Sequence, residues 1–404
     1  MSAAAEAALI EAVRWRLRRA LDGAWTDASY AGGAAGQLLA LAVLERQTQG
    51  RDLDADWLAE AVLRLLERLP RYPHGLFQGA QGLLFAALEL DRVYGLGLAE
   101  EAAADADEHL LDCLRHDRDL PYHFDLISGI GGLLTYAAYR EQGGSRLPLV
   151  EACVARLRAM VSTAAEGELH WFTPPAWIRG FPMGNAHPGG CTDLGVAHGQ
   201  AGVLAALAYA LQVARTGRPA ARELLLGGLR YLRRQEQSNG HAHFGTAAES
   251  TDPARCAWCY GDLGMAAALR LSAVALEDPA LDDWADRMLA TLSRRPAQQL
   301  GFIDAWLCHG SAGSAWLMRQ LAPRQLAPLT AHCLRLHPVA GADGLLAQLE
   351  RAPAPELGLL EGYAGLALVL SEGRADGGPP DHGPHWSLPF LAGRRALETH
   401  VVFS

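Results

Sequence analysis

Seven stretches of small and aliphatic residues recur along the chain, and each follows a Gly-x-x-Gly. The stretches are apolar nearly all round, which is typical of helices that are buried on every side. Their period is about fifty residues, with longer intervals around the fourth copy. One such pair of glycines would mean little, but seven in the same setting indicate a repeat fold. The pairs are Gly33/Gly36, Gly79/Gly82, Gly129/Gly132, Gly199/Gly202, Gly261/Gly264, Gly310/Gly313 and Gly362/Gly365.

Amphipathic stretches lie between the apolar ones. Residues 56–67, 149–160 and 281–292 carry apolar side chains at three- and four-residue spacing, which predicts helices with one face in water. The sustained alternation of apolar and polar residues that marks strands does not compete with this pattern. The sequence therefore predicts pairs that each combine an outer amphipathic helix with an inner apolar one.

Seven such pairs predict an all-α fold, an α/α toroid, in which seven outer and seven inner helices form a closed double ring. We expect a single domain over residues 1–404. The N-terminal ends of the inner helices would meet on one face, where glycine lets adjacent backbones approach closely. Residues 163–198 and 237–258 interrupt the period and lead into inner helices. We expect both to form long loops over that face, since loops of this length are often functional.

Both ends of the chain are expected to pack on the ring. The first twenty residues are rich in Ala and Arg, but Glu6 and Glu11 favour an outer helix over a transit peptide. Near the other end, a Gly/Pro-rich break at residues 377–380 precedes an apolar stretch at residues 386–391. This stretch is predicted to fold back on the barrel.

Composition and charge indicate which kinds of partner and which cellular compartment to expect for the protein. The formal net charge of -10 argues against a nucleic-acid surface, because phosphate binding needs clustered Lys and Arg. The longest uncharged run, residues 194–214, contains Gln200 and Gln212 and is predicted to be a buried helix rather than a transmembrane segment. The seven cysteines are odd in number and no signal-peptide pattern accompanies them, so we expect reduced thiols and a cytoplasmic protein.

Metal-capable side chains stand just before two of the Gly-x-x-Gly pairs. Cys259 precedes the fifth pair, and Cys308 and His309 precede the sixth. In a ring these equivalent positions converge, and two thiolates with an imidazole suit Zn²⁺ with a fourth position left open. A closed structural site is the alternative, because Cys256 and Cys259 form a Cys-x-x-Cys and Cys256 could be the fourth ligand.

Other chemistry-bearing residues share this register. His198 precedes the fourth pair, Asp125 the third, and Arg255 and Tyr260 the fifth. A lone His is more often a core residue than a catalyst. The positions before the glycine pairs are expected to meet at one face of the ring, its mouth, and this favours an acid/base role for His198. Asp125 is equally suited to capping a helix. Arg255 and Tyr260 flank the predicted metal ligands and could instead be ordinary mouth residues.

At this point the sequence resembles the lanthionine synthetase C-like family. The resemblance is carried by Ala197-His198-Gly199-Gln200-Ala201-Gly202, by Trp258-Cys259-Tyr260-Gly261-Asp262-Leu263-Gly264 and by Cys308-His309-Gly310-Ser311-Ala312-Gly313. It implies an α/α toroid, zinc ligands at Cys259, Cys308 and His309, and acid/base residues at His198 and Asp125. Arg255 and Tyr260 match further active-site positions of the family. Asp125 is the loosest match, and Cys256 does not belong to the family's ligand set.

The resemblance also implies an activity. The substrate would be a precursor peptide whose Ser and Thr residues have been dehydrated by a separate enzyme. A peptide Cys thiol, made acidic by zinc, would add to dehydroalanine or dehydrobutyrine and close a thioether ring. The sequence leaves no room for a kinase or lyase domain, so we expect a stand-alone cyclase that works with a separate dehydratase and an export complex.

Other functions use related parts. Eukaryotic members of the same family are credited with adding glutathione to dehydroamino acids, which would need the same metal site. Toroidal prenyltransferases include a carboxylate among their zinc ligands, so the adjacent Cys308-His309 pair disfavours them. Toroidal glycosidases need two facing carboxylates, and only Asp125 clearly qualifies. A non-catalytic peptide-binding scaffold with structural zinc is the remaining alternative.

Overall fold

A computed structural model describes residues 3–237, 241–335, 341–372 and 383–392. Within these ranges the chain forms seventeen α-helices, three short 3₁₀ helices at Leu69–Arg71, Ala297–Gln299 and Leu388–Phe390, and two short strands. The α-helices are α1 (Ala3–Asp22), α2 (Ala34–Gln49), α3 (Ala55–Leu66), α4 (Ala80–Tyr94), α5 (Glu100–His116), α6 (Ile130–Gln142), α7 (Leu149–Met160), α8 (Pro175–Ile178), α9 (Pro182–Ala186), α10 (Gln200–Val213), α11 (Arg218–Arg234), α12 (Asp262–Leu276), α13 (Pro279–Leu292), α14 (Ser311–Leu321), α15 (Ala327–Cys333), α16 (Gly341–Arg351) and α17 (Tyr363–Glu372).

The inner helices form a closed ring. Each of the seven begins directly after the first glycine of a Gly-x-x-Gly, and each contacts the next around the ring, with the last returning to the first. Most of their residues are buried, as helices apolar on all sides require. The inner helices, in ring order, are α2, α4, α6, α10, α12, α14 and α17.

Amphipathic helices surround this ring, as the spacing of apolar residues predicted. The helices expected at 149–160, 56–67 and 281–292 are observed as α7, α3 and α13. At the N-terminus, α1 packs on α2, α16 and α17, so the first twenty residues are an outer helix. The all-α toroid is confirmed, with one departure: two helices, α15 and α16, precede the seventh inner helix in the described part of the chain.

The run at residues 194–214 is also explained by the ring. Its helical part is α10, whose first twelve residues are all buried between α6 and α12. Across the described ranges, no helix has the length and apolarity needed to cross a bilayer. The seven cysteines are all buried and free of disulfides.

The segment at 163–198 has more structure than the loop we expected. Strands β1 (Ser162–Ala165) and β2 (Glu168–His170) pair as an antiparallel hairpin, and Gly167 supplies the positive φ of 72° that its turn requires. The two short helices α8 and α9 follow, each with a proline in its first turn, where a missing N–H costs nothing. In the second expected loop, 237–258, residues 238–240 lie outside the described ranges.

The apolar stretch near the C-terminus packs on the barrel as predicted, and it does so at the centre of the ring. The buried Phe390 ring lies within 6.5 Å of the rings of four residues from α14 and the loops before α2, α4 and α12. The Trp258 Nε1–H donates to the Phe390 carbonyl oxygen at 2.8 Å. The Gly/Pro-rich break at 377–380 lies outside the described residues. The four residues are Tyr30, Phe77, Trp258 and Trp316.

Candidate active site

The loops that precede the inner helices are built alike. In six of the seven, all within described residues, the first residue of the helix donates its N–H to the carbonyl oxygen seven residues earlier. Gln200 bonds to Asp193 at 2.8 Å and Ser311 to Asp304 at 3.1 Å in this way. The loop thereby closes on itself, so side chains at equivalent positions take equivalent places at the mouth of the ring.

Backbone hydrogen bonds also join each loop to its neighbours. The Ala197 N–H donates to the Cys259 carbonyl at 3.4 Å, Cys259 to Cys308 at 3.3 Å, and Cys308 to Leu360 at 3.0 Å. Each of these residues lies two positions before the first glycine of its repeat. The belt of hydrogen bonds, formed between loops that are far apart in sequence, places the side chains of Cys259 and Cys308 next to each other.

The residues Cys259, Cys308 and His309 form one cluster. Their ligand atoms all lie within 4.8 Å of one another, and both thiols are buried. Two sulfurs bound to one tetrahedral zinc ion at about 2.3 Å would lie about 3.8 Å apart, so the spacing fits a single ion. The His309 Nε2 bonds to the Asp304 carboxylate at 2.6 Å, so Nδ1, which lies 3.5 Å from the exposed Glu361 carboxylate, is the atom that would bind a metal.

The two thiols of the cluster differ in acidity. The hydrogen bond from the Cys308 thiol lowers the pKa of Cys259 despite its burial, and the positive charge of Arg255 acts in the same direction. The same hydrogen bond and burial raise the pKa of Cys308. Cys259 therefore ionises first, and this pair of soft donors beside an imidazole has the chemistry of a zinc site.

The Cys256 thiol lies outside this cluster of ligand atoms in the described structure. Its backbone N–H donates to Leu300 and its carbonyl accepts from Ser314 Oγ, so the residue is fixed in the loop by its main chain. Burial raises the pKa of Cys256, and the hydrogen bond with Cys259 together with burial raises that of Cys308, so position rather than acidity separates these two thiols. The three-ligand arrangement is therefore favoured over the closed one.

The side chains of His198 and Asp125 are brought together from different repeats. His198 Nδ1 lies 2.8 Å from Asp125 Oδ2, while Asp125 Oδ1 accepts the Ser128 N–H at 2.6 Å. Asp125 thus bonds to its own loop with one oxygen and to His198 with the other. It does not cap the helix, because the N-cap residue of α6 is Gly129. Burial alone would lower the pKa of His198, but the hydrogen bond and charge of Asp125 outweigh it and the pKa is raised.

Tyr260 and Arg255 line the space beside this pair. The Tyr260 hydroxyl donates to Asp193 Oδ2 at 2.6 Å, and the Gly195 N–H donates to Asp193 Oδ1 at 2.7 Å. Burial raises the pKa of Asp193 to about 6. Sequence reasoning missed Asp193, although a signal exists: it lies six residues before Gly199, as Asp304 lies six before Gly310.

A cavity of about 490 Å³ opens between these residues and the segment that carries α8 and α9. His198, Asp125, Asp193, Arg255 and Tyr260 line its polar side. Its other side is almost wholly apolar and comes from α8, α9 and the residues between them. The cavity thus joins four of the seven predicted site residues in one space, next to the cluster that holds the other three.

Comparison with known proteins shows the family of the chain and supports its fold. The family model described as lanthionine synthetase C-like protein matches residues 24–376. The chain is a member of the lanthionine synthetase C-like family. Among solved structures, one titled nisin cyclase is similar with a TM-score of 0.74 and 19% sequence identity, covering 96% of this chain and 98% of that chain. No curated protein sequence matches.

One further cluster in this lanthionine synthetase C-like chain has metal-ligand character. The ligand atoms of His74, His109 and Cys113 lie within 4.8 Å of one another, on the loop before α4 and on α5. The Gln81 side chain, oriented by the Gly75 N–H on its oxygen, donates to His74 Nδ1 at 3.1 Å. A neutral His74 that accepts this hydrogen bond at Nδ1 carries its proton on Nε2. A protonated nitrogen has no lone pair for a metal, so this arrangement disfavours a metal site.

Proposed function

We propose that this chain is a zinc-dependent lanthipeptide cyclase that adds peptide Cys thiols to dehydroalanine or dehydrobutyrine and forms thioether rings. The observation that carries the proposal is that His198, Asp125 and Tyr260 line one cavity, while Cys259, the neighbour of Tyr260 in the chain, belongs to the cluster with Cys308 and His309. Family membership and the fold shared with a structure titled nisin cyclase support it. We propose Cys259, Cys308 and His309 as the zinc ligands.

The reaction needs a thiolate, an electrophile and a proton donor. When bound, zinc would supply a Lewis acid that lowers the pKa of a coordinated substrate thiol. Asp304 holds His309 in the orientation for binding the ion through Nδ1. Cys259, Cys308 and His309 would hold the ion as three protein ligands, and a site with three rather than four protein ligands could also accept the substrate sulfur.

Proton transfer falls to His198 in this proposal. The substrate thiol loses its proton, the sulfur forms a bond to the β-carbon, and the electron pair of the alkene moves toward the carbonyl. The α-carbon then takes a proton, so the product is an isomer of the substrate. His198, whose pKa is raised by Asp125 against the opposing effect of burial, would give this proton, and Asp125 holds its ring. Arg255 would stabilise the enolate oxygen, and Tyr260 would complete the wall of the site.

The proposal extends to partners and organisation. The substrate would be a precursor peptide dehydrated by a separate enzyme, and an export complex could take the product. We propose that residues 1–404 act as one cytoplasmic domain. With a Cys-free dehydrated peptide, added glutathione tests the alternative of addition by a small thiol.

Mass spectrometry of a dehydrated peptide under thiol alkylation tests the function. A closed ring leaves the mass unchanged and blocks alkylation, so the cyclised product is distinguishable from its isomer. We expect Cys308→Ala to lose both zinc and ring formation. His198→Ala should keep zinc and lose about 10² to 10⁴ in rate. Cys256→Ala, a cysteine of the same loop outside the cluster, is the matched control and should keep both. Normal ring formation by His198→Ala would contradict the role of His198.

A further inference from the structure

The apolar side of the cavity is one continuous segment of the chain. It consists of residues 174–190, which leave the ring between the hairpin and the loop before α10. At its neck, Thr173 and Cys191 exchange two backbone hydrogen bonds of 2.8 and 3.1 Å, so the segment is closed at its base. The apolar residues that it contributes to the cavity are Trp177, Ile178, Phe181, Pro182, Met183 and Ala186.

The aromatic part of this wall is anchored to the ring. The Trp177 ring lies 4.6 Å from the His123 ring and 5.7 Å from the Phe124 ring, both in the loop that carries Asp125. Gly180, with φ of 86°, allows the tight turn between α8 and α9 that brings Phe181 to the same cavity. Phe181 nevertheless remains 62% exposed, an unusual position for a large apolar side chain that lines a cavity.

We propose that residues 174–190 form a subsite for an apolar side chain of the substrate peptide, adjacent to the dehydroamino acid that reacts. The inference rests on the proposed function and adds a substrate preference to it. The proposed occupant is a substrate side chain because the apolar wall and the proposed catalytic residues belong to one cavity. His198 and Asp125 line the same cavity as Phe181 and Met183. A residue next to the reacting one in the peptide must therefore lie against the apolar wall.

The physical chemistry of the wall sets the direction of the preference. The volume of about 490 Å³ suits a short peptide segment rather than a folded domain. Dehydroalanine itself has no charge, and an apolar neighbour would gain by leaving water for Trp177, Phe181 and Met183. A polar neighbour such as Asn would lose hydrogen bonds to water that this wall cannot replace. Differences of this kind amount to roughly tenfold to a hundredfold in kcat/KM.

Two synthetic peptides test the subsite. Both contain one dehydroalanine and one Cys at a fixed spacing, and Leu flanks the dehydroalanine in one peptide and Asn in the other. We expect the zinc-loaded wild type to cyclise the Leu peptide with the higher kcat/KM, by tenfold or more. Phe181→Ser and Trp177→Ala should reduce this ratio severalfold, while Phe181→Leu should restore it. Leu63→Ser, which replaces an exposed apolar residue on the outer helix α3, is the matched control and should keep the wild-type ratio.

A binding measurement separates failure of the subsite from failure of the proposed function. Fluorescein-labelled versions of the two peptides, with Ala for dehydroalanine and Ser for Cys, are titrated with protein and followed by anisotropy. A preference for the Leu version that Phe181→Ser removes supports the subsite, even if neither reactive peptide is cyclised and the proposed function fails. Equal kcat/KM and equal binding for the two sequences would overturn the subsite. So would a preference that is the same in wild type and Phe181→Ser.

Discussion

Two buried carboxylates at the mouth of the ring each perform two tasks. Asp125 holds the Ser128 N–H with one oxygen and His198 with the other. Asp193 holds the Gly195 N–H and the Tyr260 hydroxyl in the same manner. A hydrogen bond from a backbone N–H fixes each carboxylate, and the carboxylate in turn fixes the side chain that is hydrogen-bonded to its second oxygen. The arrangement orients His198 and Tyr260 without any contribution from a substrate.

The pKa of Asp193 leads to a prediction about stability and pH. Burial raises this pKa from 3.8 to about 6, so the folded protein holds the proton more tightly than the unfolded chain does. Lowering the pH from 7 to 4 should therefore stabilise the wild type relative to Asp193→Asn, which has no such proton, by about 2 kcal/mol. Most of this stabilisation should develop as the pH is lowered from 6 to 4. Urea unfolding followed by circular dichroism at several pH values measures it.

Acid effects on other groups, including release of metal, act on both proteins and cancel in the comparison. Asp56→Asn, at an exposed carboxylate in the first turn of α3, serves as the control and should follow the wild type. If the wild type and Asp193→Asn change in parallel with pH, the pKa of Asp193 is not raised by folding.

The repeat register explains why the candidate metal cluster was predicted, whereas the role of Asp193 was missed although the residue shares a repeat position with Asp304. Cys259 and Cys308 occupy the same place in successive repeats, and a ring makes such places neighbours. Asp193 lies in an Asp-x-Gly, which in sequence resembles any turn. Only the fold shows that its second oxygen faces Tyr260, because the two residues are 67 positions apart. The catalytic roles proposed for His198, Asp125, Arg255 and Tyr260 remain predictions.

At the level of the element, the backbone of the mouth loops determines where the cluster lies. Gly261 has a φ of 95° and directly precedes α12, one residue after Tyr260. A Cβ at this position would overlap the Arg255 carbonyl oxygen. The loop with Cys259 and Arg255 therefore has its shape only because residue 261 is glycine.

Replacing Gly261 with Ala should displace this loop and weaken metal binding. We expect zinc affinity to fall roughly tenfold to a hundredfold, as for other disturbances of the residues that orient ligands, and competition with a chromogenic chelator measures it. Gly50→Ala is the matched control, since Gly50 also has a positive φ, of 61°, but has open space around its Cα at the far end of α2. It should cost about 1 kcal/mol of stability and leave zinc affinity unchanged. Wild-type affinity in Gly261→Ala would show that the loop adapts.

Element prediction succeeded where periodicity was long and failed where elements were short. The helix α7 was predicted with its observed ends, because twelve residues contain three turns of the apolar pattern. The hairpin inside 163–198 escaped prediction because its strands have four and three residues, too few for an alternation to be recognised. The many prolines of that segment suggested a loop, although two of them begin the short helices α8 and α9.

At the scale of the whole molecule, the ring is filled at its centre by its own C-terminal segment. Polar contacts tie this segment to the inner helix α4: the His385 N–H donates to Glu89 at 2.6 Å, and Arg92 donates to the Gly383 carbonyl at 3.0 Å. The sequence indicated an apolar stretch that packs on the barrel. It could not place that stretch in the centre, since the surrounding aromatic residues come from separate repeats and no local pattern unites them.

Phe390 should therefore be a main determinant of the stability of the ring. Its side chain is fully buried, and its partners come from opposite sides of the molecule, so Phe390→Ala would leave a cavity that no single helix can close. We expect a loss of about 3–5 kcal/mol in the free energy of unfolding, measured by urea denaturation. Phe181→Ala is the control of the same residue type, and its loss should stay below about 1 kcal/mol because Phe181 is largely exposed. Equal losses in the two variants would mean that the ring is stable without its central segment. Trp258 links Phe390 to the loop of Cys259. A large loss of stability in Phe390→Ala, accompanied by weaker zinc binding, would therefore show that packing at the centre of the ring also positions the metal cluster.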